Sequence, residues 1–93
     1  MSLLTEFSTA SDLYVLAVEK HTNGHYQAAI EAFNKSLVLH EHWQSYQGLG
    51  SALGNTQQYQ LAIEAFNKSL ALHEDWQSYK GLGWALFHTQ QYQ

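Results

Sequence analysis

The sequence predicts an all-α fold, an array of antiparallel helix hairpins with about five helices, and three observations carry that prediction. Segments recur at a fixed step of 33 residues: AAIEAFNKSLVLHEH from Ala28 returns as LAIEAFNKSLALHED from Leu61, and Tyr26, Tyr59 and Tyr92 keep the same step. Within each repeat the apolar residues return every three or four positions, which is the period of a helix face and not of a strand. No proline interrupts the chain, and glycine is confined to a few repeated places, so nothing marks a linker or a second domain.

Residues 1–9 are expected to form an N-terminal tail, and residues 10–93 a single domain with units at 10–42 and 43–75 and a partial unit at 76–93. Helices are expected near 11–22, 26–39, 43–55, 59–72 and 76–88. In the first half of a unit the face is Tyr46, Leu49, Gly50 and Leu53; in the second half it is Tyr59, Ala62, Ile63, Phe66 and Leu70. Asn23-Gly24, Asn55-Thr56 and His88-Thr89 are residue types that end one helix and cap the next, so each is read as the turn within a hairpin. The joints between units fall near His40–His42 and His73–Asp75. Asp75 suits the cap of the helix that starts at Trp76, whereas His42 is the poorer cap at the equivalent place. Gly50, Gly83, Ala32, Ala62 and Ala65 lie among large apolar neighbours, where small residues let facing helices approach.

Composition bounds the function. Ninety-three residues make one small domain, and 45% hydrophobic with 14% aromatic content argues against disorder. The apolar runs are too short for a transmembrane helix, so no membrane role is expected. A net charge of −4 with four lysines and no arginine excludes nucleic acid as a partner, because phosphate contacts require a basic surface. The N-terminal residues lack the basic start and long apolar stretch of a secretory signal, which favours a cytoplasmic location over secretion. Without cysteine there is no disulfide framework, thiolate metal site or thiol nucleophile.

The run Tyr46-x-x-Leu49-Gly50-x-x-Leu53, then Tyr59-x-x-Ala62, then Phe66-x-x-Ser69-Leu70 resembles a tetratricopeptide repeat. Unit one carries the same pattern as Leu16-Ala17, Gly24, Tyr26, Ala29, Phe33 and Leu37. The chain departs from the family in having 33 residues per unit instead of 34, in lacking the closing proline, and in opening its units early with Trp43 and Trp76. The resemblance implies a right-handed superhelix whose first helices line a concave groove that binds a peptide or protein segment. Carried over by position, the groove candidates are Tyr14, Val18, His21 and Thr22 from unit one; Gln44, Gln47, Ser51 and Asn55 from unit two; and Gln77, Lys80, Trp84, Phe87 and His88 from unit three. The cluster of Lys, Asn and Arg with which one subgroup grips a C-terminal carboxylate is absent. Lys80 is the single cation on the inferred face, so the expected ligand is a peptide with an apolar or aromatic anchor beside Trp84 and Phe87.

One comparison within the chain singles out that face. Residues 43–60 and 76–93 match at fourteen of eighteen positions, and the changes are Gln47/Lys80, Ser51/Trp84, Gly54/Phe87 and Asn55/His88. Those positions are spaced i, i+4, i+7 and i+8, which is one side of a helix. A stripe that gains a Trp and a Phe reads as a surface with a partner.

Catalytic and metal chemistry find no support. The six histidines form no HExxH pair, His40 and His42 diverge on a helix, and Asp75 replaces His42 in the copy. There is no GxSxG elbow or phosphate loop, and the carboxylates, such as Glu31 and Glu64, are repeat-related scaffold charges. The expectation is no metal, no cofactor and no enzyme activity. Two Asn-Lys-Ser triplets, at Asn34 and Asn67, match a glycosylation acceptor but sit mid-helix and read as packing and surface residues. Two alternatives stand beside peptide binding. The last helix, with Trp84, Leu86 and Phe87, could make a homodimer by covering its open face with a second copy. The repeats could also be the recognition part of a larger enzyme.

Overall fold

A computed structural model describes the backbone of residues 3–91 and the side chains of residues 9–90. It contains five helices: α1 (Leu3–Thr22), α2 (Tyr26–Leu39), α3 (Trp43–Asn55), α4 (Tyr59–Leu72) and α5 (Trp76–Gln91). The bounds of α2, α3 and α4 are those the apolar period predicts. Two ends differ. Residues 3–9, expected as a tail, continue α1, since no glycine or proline stands there to stop a helix. The far end of α5 runs past His88, through the residues that form a turn in the preceding unit.

That turn shows its cost in the backbone. Gly24 and its 33-residue counterpart Gln57 both have positive φ, +81° and +64°. Glycine takes this conformation freely, while a residue with a Cβ is held there at roughly 1–2 kcal/mol. The Gln57 turn closes on three carbonyls of α3, with Thr56 N–H donating to Ala52 and Leu53, Gln58 N–H to Leu53 and Gln57 N–H to Gly54, and on the Thr56 hydroxyl, which donates to Leu53 O at 2.9 Å. Packing of α4 on α3 compensates the strained residue. Among the described residues no helix packs on the open side of α5, and the equivalent positions stay helical.

The helices stack in order, each against the next, and α1 also meets α3 as α3 meets α5. No Cα of α2 comes within 8 Å of one in α4; an open groove of about 280 Å³ lies between them, with Asn34 on one side and Lys68 on the other. Close approach of α1, α3 and α5 with separation of α2 and α4 curves the array, so the three first helices share its inner face. The result is an elongated helical-hairpin solenoid, 47 × 27 × 18 Å.

The core is one column running the length of the array, with Ala17, Phe33, Ala52, Phe66 and Ala85 nearly inaccessible. Phe33 and Phe66 are wedges. A Cβ at Gly48 would overlap the Phe33 ring, and a Cβ at Gly81 the Phe66 ring; at Gly50 it would stand 2.9 Å from Phe66. Each phenylalanine thus leaves the second helix of its unit and lodges against the first helix of the following one. Buried serines tie the other end: Ser36 Oγ donates to Ala10 O at 2.7 Å, and Ser69 Oγ donates to Trp43 O at 2.9 Å. Each such hydroxyl removes a carbonyl from solvent without leaving it unpaired, and among the described residues no buried side-chain polar atom lacks a partner. Tyr46 and Tyr79 hydrogen-bond Glu41 and Glu74 in the same register. The Glu41 carboxylate and partial burial push Tyr46 up to about 12, and the Glu74 contact raises the exposed Tyr79.

Candidate binding groove

The inner face carries two adjoining cavities. The first, about 200 Å³, is bounded by Tyr14, Val18 and His21 of α1, by Gln44, Gln47, Gly48 and Ser51 of α3, and by Gln77 of α5, with Phe33 beneath. The second, about 450 Å³, lies between His21, Ser51 and Asn55 on one side and Trp76, Gln77, Lys80, Gly81 and Trp84 on the other, with Phe66 beneath. His21, Ser51 and Gln77 border both, so the two make one continuous depression. The glycines are why the aromatic floor is reachable: any side chain at 48 or 81 would lie across the ring below.

Ten of the thirteen groove positions expected from the sequence line this depression. Thr22, Phe87 and His88 do not. His88 turns toward the start of α4, stacked on the Tyr59 ring with centroids 5.0 Å apart and edge-on to Trp84 at 4.6 Å. Phe87 is exposed beyond it, against the His88 ring at 5.7 Å. Thr22 lies at the outer edge, in an adjacent hollow with Val15, Val18 and Glu19. Sequence reasoning passed over Trp76, which is 70% exposed at the mouth of the larger cavity. Its counterpart Trp43 is covered by His73, stacked at 4.4 Å. A large aromatic opening α5 on the helix that carries the rewritten stripe was the available signal.

Trp84 plays two parts. One edge borders the cavity, while the six-membered ring lies on Gly54, where a Cβ would overlap it, and its edge meets Tyr59 at 5.6 Å. The rewritten stripe is therefore partly an internal contact and only partly a surface.

The electrostatics are simple. Lys80 is the only charged side chain among the described lining residues, and its ammonium sits 5.5 Å from the centre of the Trp76 ring. Burial lowers the affinity of His21 for a proton. Asn55 Nδ2 donates to His21 Nε2 at 3.2 Å, which requires the neutral imidazole. At the deep end, Gln47 donates to Asp75 and, at 3.1 Å, to Ser78 Oγ; Asp75 Oδ1 also accepts from Gln77 N–H at 3.2 Å, capping α5. His42, in the equivalent place, accepts from the Ser45 hydroxyl at 2.7 Å and donates to Gln44 Oε1 at 3.1 Å, with its ring beside Tyr14. The lining is amides, hydroxyls and aromatic surface, a set that pairs with peptide groups and apolar side chains. Among the described residues no group of three or more His, Asp or Glu could hold a metal ion, and no helix is long and apolar enough to cross a membrane.

A tetratricopeptide repeat model matches residues 13–39 and 44–75, well over half of the chain. The chain belongs to the tetratricopeptide repeat family. The matched segments cover the two hairpins α1–α2 and α3–α4, and α5 repeats the sequence of α3 one unit on. Tetratricopeptide repeats serve generally as protein–protein interaction modules. None of the curated proteins compared with the chain matches it.

Proposed function

We propose that this tetratricopeptide repeat domain binds an extended peptide segment along the inner face, with an apolar or aromatic side chain of the ligand seated between Trp76 and Trp84 over Phe66. The observation that supports this reading is the continuity of the depression across α1, α3 and α5, floored by aromatic rings and walled by amide and hydroxyl groups. Such a lining offers hydrogen bonds to a peptide backbone, and the larger cavity, at about 450 Å³, has a volume in the range that ligand pockets use. A single lysine supplies little charge selection, so affinity rests on the aromatic anchor.

A peptide-display selection on the immobilised domain, followed by calorimetry, tests the reading. Selected peptides should share a large apolar residue, and Trp76→Ala, which removes a side chain that is 70% exposed at the groove mouth, should weaken them at least tenfold. Selected peptides that bind Trp76→Ala and Lys80→Ala as tightly as the parent would sink the groove assignment. Self-association through α5 is a second reading, supported by the exposed Tyr79 and Leu86; molar mass by light scattering across a wide concentration range separates it from peptide binding.

A further inference from the structure

The two cavities of the inner face are built on one plan. A shift of 33 residues carries Phe33, Gln44 and Gly48 of the first onto Phe66, Gln77 and Gly81 of the second. Each unit thus sets three things into the groove: a phenylalanine beneath, a glycine whose missing Cβ leaves room above the ring, and a glutamine amide at the side. The first cavity lies between α1 and α3 and the second between α3 and α5, so the chain itself bounds each on both sides. Cα atoms of α1 come within 8 Å of α3, as those of α3 do of α5, and helices in such contact have axes about 8–10 Å apart. That distance is the step from one cavity to the next.

A peptide that fills both cavities must present side chains on one face at that step and still offer backbone acceptors to the glutamines. A polyproline II helix does both: at three residues per turn and about 3.1 Å per residue, i and i+3 share a face about 9 Å apart, and its carbonyls have no internal partner. A β-strand returns to the same face every two residues, at about 6.6 Å, or every four, at about 13 Å, and misses the step either way. An α-helix reaches it with i and i+7, about 10.5 Å, but its carbonyls are already bonded within the helix. Both glutamines can donate. Gln44 Oε1 accepts from His42 Nδ1, which leaves the Gln44 Nε2 for a ligand, and the Gln77 side-chain amide is not engaged, only its backbone N–H bonding to Asp75. We infer that the groove takes a polyproline II segment with apolar residues at i and i+3, one anchor over Phe66 and the other over Phe33 beside Tyr14 and Val18. This ligand class rests on the peptide-binding reading above and adds to it a conformation and a spacing.

The test titrates the full chain into three fluorescein-labelled peptides: a proline host with leucines at i and i+3, the same host with leucines at i and i+2, and a glycine–serine host with leucines at i and i+2. Proline fixes the conformation of the first two. The first should bind saturably and at least tenfold tighter than the others, because only it seats both anchors. Gln77→Ala should weaken that peptide about fivefold by removing one donor, with the melting curve of the chain unchanged. Equal affinity for the three, or an affinity for the first that Gln77→Ala leaves untouched, overturns the proposal. Tighter binding of the second or third peptide, weakened by Lys80→Ala, overturns the spacing and leaves the groove reading standing. Saturation by none of the three overturns the ligand class, while the groove reading falls only if display-selected peptides also ignore Trp76→Ala and Lys80→Ala.

Discussion

The two junctions between successive first helices solve one packing problem with opposite volumes. Where α1 meets α3, a large residue on the earlier helix, His21, faces a small one on the later, Ser51; where α3 meets α5, Gly54 faces Trp84. The deep ends differ in chemistry as well, with the Tyr14 ring beside His42 at the first junction and the Gln47 amide bonded to Asp75 at the second. At these two junctions the repeat-related positions differ in pairs. What is conserved from one junction to the next is the filled space, and the residues that fill it are exchangeable as a set.

Exchanging the set is the strongest way to break the comparison. Gly54→His alone drives an imidazole into the Trp84 ring and should cost about 2–3 kcal/mol in urea denaturation; Trp84→Ser alone should cost about 2 kcal/mol through lost apolar contact. The triple variant Gly54→His, Trp84→Ser, His88→Asn rebuilds the first junction at the second and should return to within about 1 kcal/mol of the parent. Costs that simply add would show that the two sets are not interchangeable. The hairpin turns give a smaller effect. Gln57→Gly relieves the left-handed residue and should stabilise the chain by about 1 kcal/mol, whereas Gly24→Ala should destabilise it by a similar amount; a Gln57→Gly variant no more stable than the parent would show that the turn is not strained.

The smallest effect is a pH dependence confined to the first junction. Burial holds the folded-state pKa of His21 below its ordinary value of 6.5. The folded state therefore favours the neutral ring, so the contribution is complete above pH 6.5 and is lost as pH falls through the lowered folded-state value. A stability profile between pH 7.5 and 5 should fall in the parent and fall less in a variant carrying Gly54 and Trp84 chemistry at the first junction, His21→Gly with Ser51→Trp. Parallel profiles would remove His21 as the cause.

Most of the fold was legible because the helix period and the repeat step are written directly in residue order. The bounds of α2, α3 and α4 followed from Tyr26, Trp43 and Tyr59 as starts and from His40, Asn55 and His73 as stops. The two misread ends differ in origin: residues 3–9 hold no glycine or proline to stop a helix, while at the end of α5 the stop residues of the preceding unit recur without the turn they form there. His88-Thr89 looks like Asn55-Thr56, yet Thr89 Oγ1 donates back to Ala85 O at 2.8 Å inside a continuing helix. The groove was legible to the same degree. The family resemblance together with helical phase put ten of thirteen candidates on one depression, but neither could tell that the Trp84 ring would lie on Gly54, or that His88 would stack on Tyr59, because both depend on the rotation of α5 against α3 and α4.

The phenylalanine wedges carry a mechanical consequence. Phe33 is fifteen residues from Gly48, and Phe66 fifteen from Gly81, so each fastening joins neighbours in the chain and none spans the array. Pulled by its ends, such a molecule has no clamp that must break before everything else yields. It would peel from a terminus one hairpin at a time, each 33-residue unit releasing on the order of 100 Å of slack, and would take up that slack in the same increments when the tension dropped.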